Sequence, residues 1–376
     1  MKSLDRFIER MMESARLVQA KDATAATAVI QQALAQAGLV PPAAGQAAPQ
    51  ARAAFVDINP APDWQSPLRA RQARSRSASV DLDDDIAVVD DAASGQFIAG
   101  VFTNDAGQRR YKLYIPAQVK HDGPRALVVM LHGCTQNPDD FARGTTMNQL
   151  AEEFGCLVLY PEQDGKSNRS HCWNWFEPGH QLREAGEPGI IAGMTRRIVK
   201  EHGIDPSRVF VAGMSAGGAM AAVLGAEYPE LFSAIGVHSG LPAGSARDMI
   251  SGLQAMKKPG RARSLREAVP AIVFHGDADH VVSPANGEAV LAQFIGAHAG
   301  LRATPLQASE TESTQGGRRS TRRTWRDDTG RMMAEHWTVH GAGHTWAGGN
   351  ASGSHTDALG PNASREMLRF FLTENR

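Results

Sequence analysis

Residues 209–220 run Val209-Phe210-Val211-Ala212-Gly213-Met214-Ser215-Ala216-Gly217-Gly218-Ala219-Met220, and this stretch decides the fold. Its apolar start predicts a buried strand, and the small residues from 219 to 228 predict a helix. Between them lies Gly-x-Ser-x-Gly. A strand, a sharp turn with a serine at its tip and a helix form a nucleophile elbow. Gly213 and Gly217 suit such a turn because the two backbones nearly touch there. The alternative is an ordinary turn whose serine only caps the helix.

The composition indicates a globular protein without a strong overall charge. The chain has 376 residues, 42% of them hydrophobic, and a net charge of −1, so no global field favours nucleic acid or an acidic membrane surface. No run approaches the roughly 20 apolar residues of a membrane helix. The N-terminus lacks the apolar core of a secretory signal, so we expect a cytoplasmic protein. Three cysteines in no zinc-binding spacing predict neither a disulfide scaffold nor a metal site.

The composition changes along the chain and predicts three parts. Residues 1–39 carry helical periodicity and predict an N-terminal helical segment, which either packs on a protein surface or docks to an apolar particle. Residues 40–93, rich in Pro, Ala, Gln, Ser and Arg, predict a flexible linker. Residues 94–376 predict a catalytic α/β domain.

Within residues 94–376, predicted strands alternate with predicted helices. The strands are expected at 95–103, 110–115, 125–131, 156–160, 209–212, 231–238, 271–274 and 335–339. The helices are expected at 146–154, 190–202, 219–228 and 364–372, and the polar stretch 309–328 is expected to be an insertion loop or a solvated hairpin. This alternation predicts a mostly parallel central sheet flanked by helices. Catalytic groups then belong at the carboxyl ends of the strands.

A serine nucleophile requires a base and a carboxylate, which follow it in that fold class in the order Ser, acid, His. The acid is expected after the strand at 271–274, where His275-Gly276-Asp277-Ala278-Asp279 follows. We favour Asp279, in the register His-Gly-x-x-Asp, and expect Asp277 to stabilise the turn.

The base is expected after the strand at 335–339. There the sequence Gly341-Ala342-Gly343-His344-Thr345-Trp346 forms a glycine-rich loop that can present an imidazole to the elbow. We favour His344 and retain His340 and His355 as alternatives.

An oxyanion hole requires two backbone N–H groups. We assign one to Ala216, which follows the serine. The second is expected from Cys134 in the loop Leu131-His132-Gly133-Cys134-Thr135-Gln136, where His132 is expected to shape the loop rather than act as a base.

Three aromatic residues lie close together in His171-Cys172-Trp173-Asn174-Trp175-Phe176. Aromatic side chains on a loop near the strand ends suit the wall of an apolar substrate site, although a small loop core is the alternative. We assign Trp173, Trp175 and Trp346 to substrate binding. Cys134 and Cys172 could pair and join two loops, but a disulfide is disfavoured in the cytoplasm.

Taken together, these motifs resemble the polyhydroxybutyrate (PHB) depolymerase esterase family over about residues 95–372. The resemblance implies an α/β-hydrolase fold and ester hydrolysis by Ser215, Asp279 and His344, without metal or cofactor. It also implies that the Cys134 loop and the Trp173 region line the substrate groove. Feruloyl and acetylxylan esterases share the same motifs, so the ester stays open.

The expected substrate is a polyester or its oligomers, with docking of the N-terminal segment to a storage granule as a hypothesis. No nucleic-acid partner is expected. The alternatives are a feruloyl or acetylxylan esterase, a serine peptidase, and a non-catalytic granule-binding protein.

Overall fold

The computed structural model of this protein describes residues 95–117, 124–265, 267, 269–300 and 304–373. The predicted helical segment 1–39 and the predicted linker 40–93 lie outside these residues. The strands are β1 (Gln96–Asn104), β2 (Gly107–Ile115), β3 (Arg125–Leu131), β4 (Cys156–Pro161), β5 (Ile204–Met214), β6 (Ala234–His238), β7 (Ala271–Gly276), β8 (Gln307–Gln315), β9 (Arg318–Arg326), β10 (Met332–Val339), β11 (Trp346–Ala347) and β12 (Thr356–Asp357). The helices are α1 (Pro138–Thr145), α2 (Met147–Phe154), α3 (Gly186–His202), α4 (Ala216–Glu227), α5 (Met249–Lys257), α6 (Ala285–Gly300) and α7 (Ala363–Thr373).

Ten of the strands form one sheet in the order β1-β2-β4-β3-β5-β6-β7-β10-β9-β8. The six central strands, from β4 to β10 in that order, run parallel to one another. The hairpin of β1 and β2 joins antiparallel at one side, and β9 and β8 join antiparallel at the other. The predicted, mostly parallel sheet is therefore confirmed.

Apolar side chains cover both faces of the sheet. Along β3, Leu127 and Val129 belong to one core cluster, whereas Val128 and Met130 belong to the other, and all four are fully buried. Successive side chains of a strand point to opposite faces, so a continuous apolar run requires cover on both sides. This explains why residues 127–131 predicted a central parallel strand.

The structure refines several predicted elements. Strand β5 extends beyond the predicted 209–212 at both ends. The polar stretch 309–328 forms the solvated hairpin that was one of its two predicted alternatives, and β8 is almost entirely exposed at the sheet edge. Helices α1, α5 and α6 were not predicted. Helix α1 is short. It begins at Pro138, and the side chain of the preceding residue, Asn137, caps its N-terminus.

Among the described residues, no helix combines the length and the apolar character that crossing a membrane requires.

Candidate active site

The predicted site residues follow neighbouring strands at one edge of the sheet. Leu131 at the end of β3 pairs with Gly213 in β5, and Met214 at the end of β5 pairs with His238 in β6. Val339 at the end of β10 pairs with Gly276 at the end of β7. Because these strands are parallel and their ends are paired, the loops that follow them begin side by side at the carboxyl ends of the strands.

Ser215 occupies a strained turn between β5 and α4. Its φ of 55° and ψ of −119° lie in a region that non-glycine residues rarely adopt. A Cβ atom added to Gly217 would overlap the carbonyl oxygens of Leu131 and His132, and one added to Gly213 would overlap the backbone of Gly217. The backbone N–H of Ser215 donates to the carbonyl of His238 over 2.9 Å. This geometry is that of the nucleophile elbow predicted from the sequence.

Asp279, which is buried, and His344, which is partly buried, form a hydrogen-bonded pair. Nδ1 of His344 donates to Oδ2 of Asp279 over 2.7 Å, and Oδ1 of Asp279 accepts the N–H groups of Val281 and Val282. Burial alone would raise the pKa of Asp279, but hydrogen bonds from His275 and His344 outweigh burial and hold this pKa far below its ordinary value. Since the carboxylate accepts from Nδ1, Nε2 of His344 is the nitrogen that can take a proton.

The alternative acid and base form a separate pair. Nδ1 of His340 donates to Asp277 over 2.8 Å, and Asp277 also accepts the N–H of Gly341. Nε2 of His340 accepts from the hydroxyl of Thr321 over 2.8 Å. Both ring nitrogens of His340 are therefore engaged, and the pair joins the loop after β7 to the loop after β10.

The loop after β3, which carries Cys134, lies against the elbow. A Cβ atom added to Gly133 would lie 3.7 Å from Cβ of Ser215. Nδ1 of His132 donates to the carbonyl of Gly133 over 2.8 Å, and its Nε2 accepts the N–H of Gln163 over 3.1 Å. Burial lowers the pKa of His132 to about 4, which keeps the ring neutral. His132 therefore shapes the loop, as the sequence predicted.

A disulfide bond joins Cys134 to Cys172, so the pairing that the sequence left open is present. The N–H of Thr135 adds a hydrogen bond to the carbonyl of Ser170 over 2.7 Å. The loop after β3 is thereby fastened to the segment that carries the aromatic residues. The third cysteine, Cys156, is a buried free thiol.

The three tryptophans assigned to substrate binding are buried. Trp173 is 0% exposed, Trp346 is 1% exposed and Trp175 is 6% exposed. The indole N–H of Trp173 donates to the carbonyl of His132, and that of Trp346 donates to the hydroxyl of Ser364. Through these contacts the indoles of Trp173 and Trp346 support the loops around the site. The burial of Trp173 and Trp175 corresponds to the alternative in which the aromatic segment forms a small loop core. Direct contact of the tryptophans with a substrate stays a prediction.

A buried carboxylate that sequence reasoning missed holds the aromatic segment. Glu187 is fully buried and accepts the backbone and side-chain N–H groups of Asn174, at 2.7 and 2.8 Å. It also accepts from the side chains of Gln163 and Arg109. Charged groups are buried only with such partners. Glu187 lies outside the predicted helix at 190–202. The periodicity that predicted this helix therefore gave no indication that Glu187 is buried.

Two further buried histidines support the site. Nε2 of His238 accepts the N–H of Ala347 over 3.0 Å, and its ring stacks on Phe274 and Trp346. Nε2 of His275 donates to the carbonyl of Val282 and lies 3.4 Å from Oδ2 of Asp279. Both residues lie at the ends of apolar strands, where polar residues are unusual. This position in the sequence could have indicated that the two histidines support the site.

Within the described part of the chain, no group of three or more His, Cys, Asp or Glu residues is arranged to hold a metal ion. Those residues therefore point to no metal-binding site.

Comparison with known proteins adds a family, relatives and a fold. The family model described as "Esterase PHB depolymerase" matches residues 109–315. Poly(3-hydroxyalkanoate) depolymerase C of Paucimonas lemoignei is 32% identical over 256 residues, which are 64% of this chain and 59% of that protein. Poly(3-hydroxybutyrate) depolymerase of Ralstonia pickettii is 30% identical over 276 residues, which are 68% of this chain and 55% of that protein. The chain thus spans less than two thirds of either relative.

A solved structure, an acetyl xylan esterase from Aspergillus awamori, matches with a TM-score of 0.56 and 21% identity. The match covers 74% of this chain and 99% of that one. Together with the strand order, this likeness shows the α/β-hydrolase fold that the sequence predicted.

Proposed function

Because the chain belongs to the PHB depolymerase esterase family, we propose that it hydrolyses carboxylic esters, with poly(3-hydroxybutyrate) or its oligomers as the substrate. The observation that carries the proposal is the hydrogen bond from His344 to Asp279, which holds the imidazole in one tautomer, while Ser215 occupies the strained turn after β5. A serine alone is a weak nucleophile at neutral pH, and such an oriented base activates it.

In the first half of the reaction, Oγ of Ser215 attacks the ester carbonyl while Nε2 of His344 takes the hydroxyl proton. The carbonyl π electrons move to oxygen, and the N–H groups of Cys134 and Ala216 hold this oxyanion. When the tetrahedral intermediate collapses, the bond to the alkoxy oxygen breaks and His344 gives its proton to the leaving alcohol. The product is an acyl-enzyme on Ser215.

In the second half, a water molecule replaces the alcohol. His344 takes a proton from the water, the hydroxide attacks the acyl carbon and the same N–H groups hold the second oxyanion. Collapse breaks the bond to Oγ of Ser215, to which His344 returns the proton. The released acid is a hydroxyacid when the substrate is a polyhydroxyalkanoate. Asp279 stabilises the imidazolium in both halves through its bond to Nδ1.

A fluorophosphonate probe tests the nucleophile. We expect the folded protein to be labelled at Ser215, and labelling to be lost in Ser215→Ala. Gln149→Met, a substitution at an exposed position on α2, serves as a control that should label like the parent protein. Absence of labelling in folded protein would refute the proposed mechanism.

A substrate panel tests the ester. We expect hydrolysis of short-chain nitrophenyl esters, of hydroxybutyrate oligomers and of amorphous poly(3-hydroxybutyrate). Two relatives, one named as a poly(3-hydroxybutyrate) depolymerase and one as a poly(3-hydroxyalkanoate) depolymerase, support that choice. Rapid cleavage of feruloyl or acetylxylan esters without cleavage of hydroxybutyrate esters would contradict the choice of substrate and leave the mechanism intact.

A further inference from the structure

Gln136 is a buried amide in the loop that carries Cys134, and the proposed reaction gives it no role. Its side chain is 3% exposed, and both of its polar atoms are engaged. Oε1 accepts the N–H of Gly133 over 2.9 Å. Nε2 donates to Asp140 over 3.0 Å, and it lies 3.1 Å from the carbonyl oxygen and 3.2 Å from Oγ of Ser354. A buried amide with this many partners is held in one orientation.

One end of Gln136 holds the peptide that directly precedes the one containing the proposed oxyanion donor. Cys134 N–H belongs to the Gly133–Cys134 peptide, whose carbonyl accepts from His132. In a trans peptide the C=O and N–H groups point in opposite directions, so a hydrogen bond that holds the carbonyl also aims the N–H. The bond from the Gly133 N–H to Gln136 fixes the other side of Gly133. The orientation of the Cys134 N–H is therefore set directly by His132 and, through the position of Gly133, by Gln136.

The other end of Gln136 is fastened to a charged group. Asp140 on α1 accepts the backbone N–H of Ser354 over 2.9 Å and its hydroxyl over 2.6 Å, in addition to Nε2 of Gln136. Burial raises the pKa of Asp140, but the bonds from Ser354 and Gln136 outweigh it and lower this pKa. Hydrogen bonds to a carboxylate are shorter and stronger than those between neutral groups.

Ser354 connects Gln136 to the segment that carries the proposed base. Ser354 is followed by His355, whose carbonyl accepts the N–H of Trp346 over 2.7 Å. Trp346 lies two residues after His344. Gln136 and Ser354 are 218 residues apart in the chain, so this contact exists only in the folded protein.

From this arrangement we infer that Gln136 is a positioning residue. It aims the Cys134 N–H at the oxyanion, and it fixes the loop after β3 relative to the segment that carries His344. The inference rests on the proposed function, because it assigns the residue to that reaction. Gln136 itself contacts no reacting atom in the proposed reaction and acts through Gly133, Asp140 and Ser354.

The kinetic consequence follows from when the oxyanion exists. Negative charge on the carbonyl oxygen develops only in the transition state, so a misaimed N–H lowers kcat and leaves KM nearly unchanged. Removal of an oxyanion donor costs about 10²–10³ in kcat. A donor that is present and misaligned should cost less, and we expect about a 10- to 50-fold decrease in kcat.

The test uses the full chain and two substitutions. Gln136→Met keeps the volume of the side chain and removes all of its hydrogen bonds. Gln136→Glu keeps an acceptor for Gly133, loses the Nε2 donors and places a like charge against Asp140. We expect both variants to lose kcat on a nitrophenyl ester at a KM within about twofold of the parent value. Gln149→Met, the same chemical change at an exposed position, should change neither constant.

Two readouts separate positioning from a general loss of structure. When labelling with a fluorophosphonate is allowed to go to completion, the fraction of protein labelled at Ser215 should be the same in each variant as in the parent. A phenylboronic acid, which forms a tetrahedral adduct with the serine, should bind more weakly by about the factor lost in kcat.

The inference is overturned when folded Gln136→Met or Gln136→Glu keeps kcat within about twofold, or loses activity through KM alone. If Gln136→Met does not fold, the kinetics of Gln136→Glu decide whether the inference holds. This variant retains the bond to Gly133 and loses the bonds that Nε2 donates. Parent protein that neither labels nor hydrolyses esters refutes the proposed function itself. An active parent with unimpaired variants refutes only the role of Gln136.

Discussion

Asp279 accepts a hydrogen bond from Nδ1 of His344, with 2.7 Å between the two atoms, although the two residues are 65 positions apart in the chain. Asp279 is 4% exposed, so little water competes for this bond. A second pair, Asp277 and His340, lies in the same two loops. The two pairs differ in the partner of Nε2, since His340 accepts there from Thr321. They therefore allow a matched test of which acid serves the reaction.

Asp279→Asn should lower kcat on a nitrophenyl ester by about 10⁴, because an amide no longer selects the tautomer of His344. Asp277→Asn should lower kcat by about tenfold or less, because its half-exposed pair with His340 contributes about 1 kcal/mol or less. Steady-state kinetics with both variants, and circular dichroism to verify folding, measure the contrast. Equal losses in the two variants would show that the acid is misassigned.

Acid should destabilise the protein through His238. Burial lowers the pKa of His238 to about 3, with smaller contributions from the charges of His275 and His344. The ordinary pKa of histidine is about 6.5. Between these two values the unfolded chain binds a proton that the folded chain does not. The free energy of unfolding therefore falls as the pH drops below about 6.5, and this loss continues to about pH 3.

Urea unfolding at pH 7.5 and pH 5 measures this effect. From the two pKa values, His238 should account for about 2 kcal/mol of the stability lost between these pH values. His238→Gln keeps an acceptor for the N–H of Ala347 and removes the titration, so its pH dependence should be smaller by about that amount. An unchanged difference between the two pH values would contradict the assignment to His238.

Gly217→Ala should destabilise the fold by about 2–4 kcal/mol and abolish activity, because the new methyl group would overlap the carbonyl oxygens of Leu131 and His132. Gly343→Ala provides the control. No atom lies within 4 Å of a Cβ atom placed at Gly343, although His344 is the next residue. Thermal unfolding and ester hydrolysis should distinguish the variants. A stable, active Gly217→Ala protein would refute the close approach of β5 and α4.

Loss of the disulfide should loosen the loop that carries Cys134. Replacing Cys134 and Cys172 by serine should lower the free energy of unfolding by about 2–4 kcal/mol, since the bond closes a long loop in the unfolded chain. Cys156→Ala, which removes the buried free thiol, should cost about 1 kcal/mol. Urea unfolding compares the two. Thiol titration of denatured parent protein should find one free thiol, and three would show that the pair is reduced.

Much of the site was predictable because its groups follow buried strands. The apolar runs ending at Leu131, Ala212, Phe274 and Val339 predicted parallel strands, and the loops after them carry the candidate residues. Parallel strands bring their carboxyl ends to one edge, so local patterns were enough to predict that the loops of Ser215 and His344 would begin at the same edge. Helix α5 was missed, since only two of its nine residues are buried and its apolar periodicity is weak.

The sequence by itself determined the order of the central strands, the elbow of Ser215 and the loops that carry the candidate acid and base. These features depend on residues near one another in the chain: apolar periodicity, small residues at a tight turn and glycine-rich loop sequences. Only the tertiary structure decided which carboxylate pairs with which histidine, that Cys134 joins Cys172, that the tryptophans are buried and that Gln136 reaches Ser354. Each of these depends on distances between residues far apart in the chain, which are set when the sheet and its loops pack together.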